Sequence, residues 1–277
     1  MKIALAFFGQ PRGIDNDMII EQWLRILGDS SETCTFDVYA HFWDNHSNTK
    51  ISDTYEEFVK ETQVDATTHF DKFIKAFRPK QLHIEPSNVL DKLSSLYFSN
   101  NEYVNARVDP SIPSTGRATI GQWYSTERVL EQVINSGVEY DIVIRIRPDI
   151  IFEQTESHHR FFELSLIKHF KVCAVGNRCI GVPSIEIKSG TPILNDWWTV
   201  MHGGFVEEFK TNLTKNISSQ INAIFTTLDT PNSIQENALH RHCIKLDINA
   251  VSTKAEARIY RKEEGTWVWP NYLVDSK

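Results

Sequence analysis

The sequence predicts an α/β protein with a doubly wound, mostly parallel sheet. Short apolar runs at residues 2–8 and 36–42 have the length of buried strands, and segments with the 3.6-residue period of amphipathic helices separate them. This alternation is typical of parallel sheets covered by helices on both faces. The chain has 277 residues, 41% of them hydrophobic, and shows no repeat or linker, so we predict one domain over residues 1–277.

The first strand ends in a turn at residues 9–12, and a helix follows it. Asp15 or Asp17 is placed to cap this helix, and Gly28 is placed to end it. The inward positions predicted from the helical spacing are Ile19, Ile20, Trp23, Leu24 and Leu27.

The alternation continues after the strand at 36–42. We expect polar helical sequence that includes residues 55–59, then a helix that ends at Pro79, and then a third strand at 82–84. The apolar face of the second of these helices consists of Phe70, Phe73, Ile74 and Phe77.

Residues 86–118 contain proline and glycine with weak periodicity, which predicts a long loop with one short helix at 89–97. A long helix over 119–136 then leads into the clearest strand of the chain, at 141–147. The remaining predicted elements are a strand at 171–175 and helices near 197–209 and 233–244.

Composition and missing motifs exclude several classes of protein. The formal net charge of -7 argues against a general nucleic-acid binder, which needs a basic excess. No apolar stretch has the length of a signal peptide or a transmembrane segment, so we expect a cytoplasmic protein. The four cysteines are too sparse for a disulfide framework, no His/Cys spacing supports a zinc site, and the nucleotide motifs GxxxxGKS/T and GxGxxG are missing.

The segment YDIVIRIRPDIIF, residues 140–152, carries the strongest chemical signal. Alternate residues of a strand face opposite ways, which places three isoleucines on one face and Arg145 and Arg147 on the other. Pro148 lacks an N–H and ends the ladder, so we expect Asp149 at the carboxyl edge of the sheet, where ligands of open α/β sheets bind. A guanidinium in such a place needs an anionic partner. We predict an anionic ligand that faces Arg147 and Asp149.

A structural interpretation of the same arginines is also open. Arg145 and Arg147 would then pair with acids inside the protein and hold the preceding helix against the sheet. The acids available for this pairing are Glu127, Glu131 and Asp141.

Three segments carry a family resemblance: FFGQPRG after the first strand, FDVYAHFWD around the second, and YDIVIRIRPDIIF. With these segments the sequence resembles the GT-A-type glycosyltransferases of lipopolysaccharide and capsule pathways, which also occur in phages and large viruses. The resemblance implies a Rossmann-like GT-A fold with a nucleotide-binding half at about 1–152 and an acceptor half at about 153–277. It also implies a hexosyltransferase that moves a sugar from a UDP- or GDP-linked donor to a glycan hydroxyl.

The resemblance places a nucleotide pocket at the carboxyl edge of the sheet. Beside it, Trp43 could stack on a base or sugar or fill the core. Gly9 and Pro11 could line this pocket or could simply form a tight turn. Gln122 and Ser125 lie on the polar side of the long helix, where exposure to solvent would also explain them. The residues implied to line the pocket are Gly9, Gln10 and Arg12 in the first turn, His41 and Asp44 after the second strand, Arg117 in the loop before the long helix, and Arg145 and Asp149.

The sequence departs from the metal motif of the family. Proteins with this fold usually carry an Asp-x-Asp motif that binds a divalent cation, but here Arg147 replaces the first acid and Asp149 remains. We expect any Mg²⁺ or Mn²⁺ to be weakly bound by Asp149 with His240 or His242, and Arg147 to neutralise charge on the leaving diphosphate. The literal Asp-x-Asp at residues 15–17 is predicted to cap a helix instead.

The resemblance implies two candidates for a catalytic base. Asp196 would lie near the sugar, and Glu236 would serve the acceptor, although a capping box with Ser233 explains Glu236 equally well. Trp197 and Trp198 could form a platform for a sugar ring, since at most one of them faces the core in a regular element. The altered Asp-x-Asp motif leaves a second function open, a catalytically inactive nucleotide- or glycan-binding module.

Overall fold

The structure is a computed structural model. It describes residues 1–29, 31, 34–44, 66–86, 88–97, 116–152, 179–182, 185–188, 191–194, 196–219, 234–252 and 257–259. The strand predicted at 171–175 and the helical sequence predicted at 55–59 lie outside these residues.

The described strands form one large sheet and two small ones. They are β1 (Lys2–Gly9), β2 (Thr35–Trp43), β3 (Gln81–Glu85), β4 (Ile142–Ile146), β5 (Ile150–Phe152), β6 (Cys179–Val182), β7 (Ile185–Lys188), β8 (Thr191–Leu194), β9 (Trp198–His202), β10 (Asn249–Ser252) and β11 (Ala257–Ile259). The large sheet has seven strands in the order β10-β6-β9-β4-β1-β2-β3. Its pairs are parallel except where β9 runs antiparallel between β4 and β6. Two antiparallel pairs, β5 with β11 and β7 with β8, lie outside it.

Helices cover both faces of the large sheet. They are α1 (Asp17–Asp29), α2 (Ala66–Phe77), α3 (Val89–Tyr97), α4 (Gly116–Asn135), α5 (Val206–Lys210) and α6 (Ile234–Lys245), with a 3-10 turn at Gly203–Phe205 and a helical segment at 213–219. Apolar side chains of α1 and α2 form one core with the sheet, and those of α4, α5 and α6 form another on the opposite face. The predicted α/β class, a doubly wound and mostly parallel sheet, is therefore confirmed. No helix in the described part of the chain combines the length and apolar character needed to cross a membrane.

Strand β4 divides its side chains between the two cores as predicted. Ile142, Ile144 and Ile146 pack with α1 and α2, whereas Val143 packs on the α4 side. β4 ends at Ile146, and Pro148, which has no N–H to donate, follows two residues later.

The helix predicted near 197–209 is wrong in its first part. Residues Trp198–His202 form strand β9, which pairs with β4 on one side and β6 on the other, and a helix begins at Val206. Trp197 and Trp198 are both buried in the same core, so they do not form an exposed platform for a sugar. The alternation that would separate them does not apply, because Trp197 precedes the strand.

Details of the first helices also differ from the prediction. The cap of α1 is Asn16, whose Oδ1 accepts hydrogen bonds from the N–H groups of Met18 and Ile19, rather than Asp15 or Asp17. Two side chains predicted to face inward, Leu24 and Ile74, are exposed.

Candidate functional site

The turns that follow β1 and β4 lie side by side, because these strands are parallel neighbours that end at the same sheet edge. The first turn leaves β1 at Gly9, whose φ of 97° lies in the left-handed region that favours glycine. Its N–H donates to Ser125 Oγ at 2.7 Å, and the N–H of Arg12 donates to the Gln10 carbonyl at 2.8 Å. The structure therefore places Gly9, Gln10 and Arg12 at the edge where the sequence predicts a ligand.

Arg147 and Asp149 form an ion pair in the turn after β4. The guanidinium donates from Nε to Asp149 Oδ1 at 2.9 Å and from Nη2 to Oδ2 at 2.8 Å. The Asp149 side chain is 2% exposed and that of Arg147 is 18% exposed. The N–H of Arg147 donates to the carbonyl of Trp197 at 3.1 Å, which places the segment before β9 beside the pair. Two parallel hydrogen bonds of this kind fix the plane of a guanidinium.

Arg145 is fully buried between the sheet and α4. Its Cζ lies 3.9 Å from the ring centre of Phe8 and 4.6 Å from that of Trp123. Nε donates to Thr126 Oγ1 and Nη1 donates to Thr199 Oγ1, both at 3.0 Å, while Nη2 has no hydrogen-bond partner among the described residues. The core thus holds a positive charge between two aromatic faces.

Asp196 adds a negative charge to this region. Burial lowers the pKa of Arg145 to about 9, and the charge of Asp196 opposes that shift while the charge of Arg147 adds to it. Asp196 is itself buried, and its Oδ2 accepts a hydrogen bond from the side-chain amide of Gln122. Gln122 was expected on an exposed helix face, but α4 turns it towards the segment before β9. One acid and two arginines are thereby brought into electrostatic contact.

The structural alternative for the arginines is met with a different acid, because Arg147 pairs inside the protein with Asp149. The acids considered for it have other partners within the described residues: Glu127 accepts from the N–H of Thr214, Glu131 pairs with Arg128, and Asp141 accepts from the N–H of Lys2.

The end of β2 is more buried than the sequence predicts. His41 is fully buried, with Nδ1 at 2.9 Å from Ser125 Oγ and Nε2 at 2.8 Å from Glu85 Oε2. Trp43 is 3% exposed and donates from Nε1 to a carbonyl of α4 at 3.1 Å. Both rings belong to the packing of β2 against α4, which for Trp43 is the core position considered from the sequence. A contact of His41 with a nucleotide stays a prediction. Asp44 follows β2, and its N–H donates to the carbonyl of Glu85 at 2.9 Å.

The predicted ligands of a donor-site cation are not brought together. Both carboxylate oxygens of Asp149 accept from Arg147. His242 is buried with Nε2 at 2.9 Å from the carbonyl of Phe209, where a neutral imidazole donates its proton. Burial lowers the pKa of His242 and also that of His240. The residues described do not fit a Mg²⁺ or Mn²⁺ site at Asp149.

Two predicted residues are placed by their backbone. Arg117 and Glu236 lie in the first turns of α4 and α6, and their side chains are outside the described part of the structure. Arg117 is therefore in a helix rather than in the preceding loop. Ser233 lies outside the described residues, so the capping box remains a prediction.

Sequence reasoning missed several partners in this region. Thr126 and Thr199 bind the buried arginine, and Glu85 joins His41 to Tyr124. A signal for Glu85 exists in the segment HIE at 83–85, because residues two apart on a strand share a face.

The chain was compared with known proteins. No protein-family model matches the sequence, and no curated protein matches it. Among solved structures, mouse xyloside xylosyltransferase 1 is similar with a TM-score of 0.42 and 10% identity, over 91% of this chain and 85% of that chain. The galactosyltransferase LgtC, in complex with donor and acceptor sugar analogues, is similar with a TM-score of 0.41 and 10% identity, over 91% and 73%. A putative glucose-1-phosphate thymidylyltransferase from Bacillus anthracis has a TM-score of 0.35 and 8% identity, over 94% and 89%. Similarity at this level does not assign an activity to this chain.

Proposed function

We propose that this protein is a glycosyltransferase that moves a sugar from a nucleotide-diphosphate donor to a glycan hydroxyl. The observation that carries the proposal is Arg147, oriented by Asp149 at the carboxyl end of β4 and beside the Gly9 turn of β1. Ligands of open α/β sheets bind at this edge. Two of the three segments that carry the family resemblance, FFGQPRG and YDIVIRIRPDIIF, cross this edge.

In this proposal, arginine neutralises the diphosphate. Transfer breaks the bond between the anomeric carbon and a diphosphate oxygen, and the bonding electrons leave with the diphosphate. Arg147 would stabilise the negative charge that develops, and Asp149 would hold the guanidinium in place before the reaction begins. No step runs through a cation, because both Asp149 oxygens are bound to Arg147.

The acceptor hydroxyl must lose a proton as its oxygen bonds to the anomeric carbon. In an inverting reaction a carboxylate takes that proton, and Asp196 and Glu236 are the candidates. Asp196 is supported by its place in the segment before β9, which lies beside the turn of Arg147. A retaining reaction would need little beyond stabilisation of the leaving group.

The proposal is tested with a ligand panel of UDP, GDP, CDP and their sugars. Thermal stability is measured with each ligand, because a ligand at 100 times its Kd adds about 2.7 kcal/mol to the free energy of unfolding. Donors that bind are then incubated with glycan acceptors, and the released nucleoside diphosphate is quantified. The double variant Arg147→Ala/Asp149→Asn removes the ion pair without leaving a buried carboxylate unpaired, and it should lose binding. Arg128→Ala, which removes an arginine from a surface ion pair on α4, is the matched control.

The outcomes separate the two functions considered. Binding with release of product supports the glycosyltransferase. Binding without turnover, with any acceptor, identifies the inactive nucleotide-binding module, which the replacement of the first acid by Arg147 favours. Absence of binding across the panel contradicts the glycosyltransferase and the nucleotide-binding module, and leaves the glycan-binding module to be tested by titration with the glycan acceptors alone.

A further inference from the structure

A second cluster of polar side chains lies on β2 and the edge strand β3, and Ser125 links it to the Gly9 turn. His41 and His83 are directly opposite each other in the parallel pair β2 and β3. Glu85 is two residues further along β3 and therefore on the same sheet face as His83. Helix α4 contributes Tyr124 and Ser125 to this face.

The ligand atoms of the three residues are close together. Glu85 Oε2 lies 2.8 Å from His41 Nε2 and 4.0 Å from His83 Nε2. One potential ligand atom from each residue lies within 4.8 Å of those from the other two. A tetrahedral ion about 2.0–2.1 Å from each ligand needs ligand atoms about 3.3 Å apart. If the His41 and His83 side chains each moved by about 1 Å or less, both Nε2 atoms would lie at that distance from Glu85 Oε2.

From this geometry we infer that His41, His83 and Glu85 form a zinc site. Two imidazoles and one carboxylate are a ligand set that Zn²⁺ accepts, with water as the fourth ligand. Imidazole nitrogen favours zinc and its late transition-metal neighbours over Mg²⁺, Ca²⁺ and Mn²⁺, which prefer oxygen. The site therefore differs in chemistry, as well as in position, from a cation on a nucleotide diphosphate.

The surroundings of the three residues have the features of a metal site. A histidine that binds zinc through one nitrogen normally holds the other in a hydrogen bond, and His41 Nδ1 lies 2.9 Å from Ser125 Oγ. Ser125 Oγ is in turn fixed by the N–H of Gly9 at 2.7 Å. The second oxygen of Glu85 accepts from Tyr124 Oη at 3.1 Å, which leaves Oε2 directed at the two histidines.

His83 provides the route by which an ion enters. Its side chain is 53% exposed, whereas those of His41 and Glu85 are 0% and 14% exposed. The rings of His41 and His83 are stacked at 5.3 Å with 20° between their planes, so His83 must rotate to direct its nitrogen at an ion shared with His41. A half-exposed side chain on an edge strand can make this rotation without disturbing the core.

Zinc at this site would fasten the edge strand to the rest of the sheet. β3 is the last strand of the seven-stranded sheet, and its partner in the ladder is β2. A shared ion would add a link between those strands and, through Tyr124 and Ser125, to α4. The inference does not depend on the proposed glycosyltransferase activity, because neither Arg147 nor Asp149 is among the three ligands.

The test measures zinc binding directly on the full-length protein. Metal-free protein is titrated with Zn²⁺ by calorimetry, and zinc retained after dialysis is counted per chain. Co²⁺ serves as a spectroscopic probe, because four-coordinate Co²⁺ absorbs visible light far more strongly than six-coordinate Co²⁺. The variants are His83→Ala, which alters a half-exposed residue, and Glu85→Gln, which keeps the size of the side chain and its bond to Tyr124. His240→Ala is the matched control, a histidine outside the cluster.

We expect one Zn²⁺ per wild-type chain and a four-coordinate Co²⁺ spectrum. His83→Ala and Glu85→Gln should each lower zinc affinity by at least about tenfold, since losing even an outer-shell partner costs about 10- to 100-fold. His240→Ala should bind zinc like the wild type. The inference is overturned if the wild type retains no zinc, if both cluster variants bind it with wild-type affinity, or if His240→Ala removes it.

Discussion

The ion pair of Arg147 and Asp149 determines how charge is presented at the end of β4. Asp149 occupies two N–H donors of the guanidinium with parallel bonds, and burial of the carboxylate keeps water from competing for them. The arginine is consequently held at one angle rather than sampling many. A charge held in this way stabilises a developing anion without reorganising first.

We predict that Arg147→Lys lowers kcat for the donor by at least about tenfold although the positive charge is kept. Lysine is a compact ammonium on a flexible stem and cannot form the two parallel bonds to Asp149, so its charge is not fixed in direction. Steady-state kinetics on a donor identified by the ligand panel measure kcat and KM separately. Arg128→Lys, in the ion pair with Glu131 on α4, is the control and should keep the wild-type kcat. A wild-type kcat in Arg147→Lys would show that Arg147 has a structural role.

Among the elements, α4 organises both clusters of polar residues. Trp123 and Thr126 hold Arg145, Gln122 binds Asp196, and Ser125 joins the Gly9 turn to His41. These residues lie within two turns of one helix, so a change in the position of α4 would move both clusters together.

The connection after β9 allows a prediction about how tightly the elements are packed. A Cβ at Gly203 would lie 1.7 Å from the carbonyl oxygen of Tyr140, a backbone atom, whereas a Cβ at Gly204 would lie 3.3 Å from His202 Nδ1. Rotation of a side chain cannot relieve the first contact, so the turn itself must move. We expect Gly203→Ala to lower the free energy of unfolding by at least about 2 kcal/mol and Gly204→Ala by less than about 1 kcal/mol. Urea denaturation of the two variants measures the difference, and equal losses would contradict this packing.

Elements with a strong local pattern could be predicted from the sequence, and elements that depend on neighbours could not. The long helix predicted at 119–136 corresponds to α4, and the strand predicted at 141–147 contains β4. By contrast, β9 is an antiparallel strand inserted between β4 and β6, and its five residues contain no local signal of that position.

The same distinction holds for the candidate site. Arg147 and Asp149 could be predicted as a group because they flank Pro148 at a strand end. The contact of Gln122 with Asp196 joins residues 74 apart, and that of His41 with Glu85 joins residues 44 apart. Such contacts depend on the order of strands in the sheet and on the position of α4, which periodicity does not determine.

At the scale of the whole molecule, the net negative charge means that binding of an anionic donor depends on arginines close to the donor. The net charge of -7 would repel a nucleoside diphosphate at long range, but that repulsion is screened beyond about 8 Å at physiological ionic strength. Binding therefore depends on groups within direct reach, and Arg147 and Arg12 lie at the proposed edge.

We predict that the wild-type protein binds its nucleoside diphosphate with the same affinity, within about threefold, in EDTA and in Mn²⁺. A cation at Asp149 would have to displace the Arg147 fork, and the two positive charges would repel each other by roughly 1 to 4 kcal/mol for unit charges at 4 Å. The affinity is measured by calorimetry at a temperature well below the thermal midpoint. The protein then stays folded even if EDTA removes zinc from the His41 cluster. Asp149→Asn is the control, because it removes the carboxylate that a cation would need. The prediction is contradicted if the wild type loses binding in EDTA and regains it in Mn²⁺, while Asp149→Asn does not respond to Mn²⁺. Asp149 would then hold a cation, and its pairing with Arg147 would open when the donor binds.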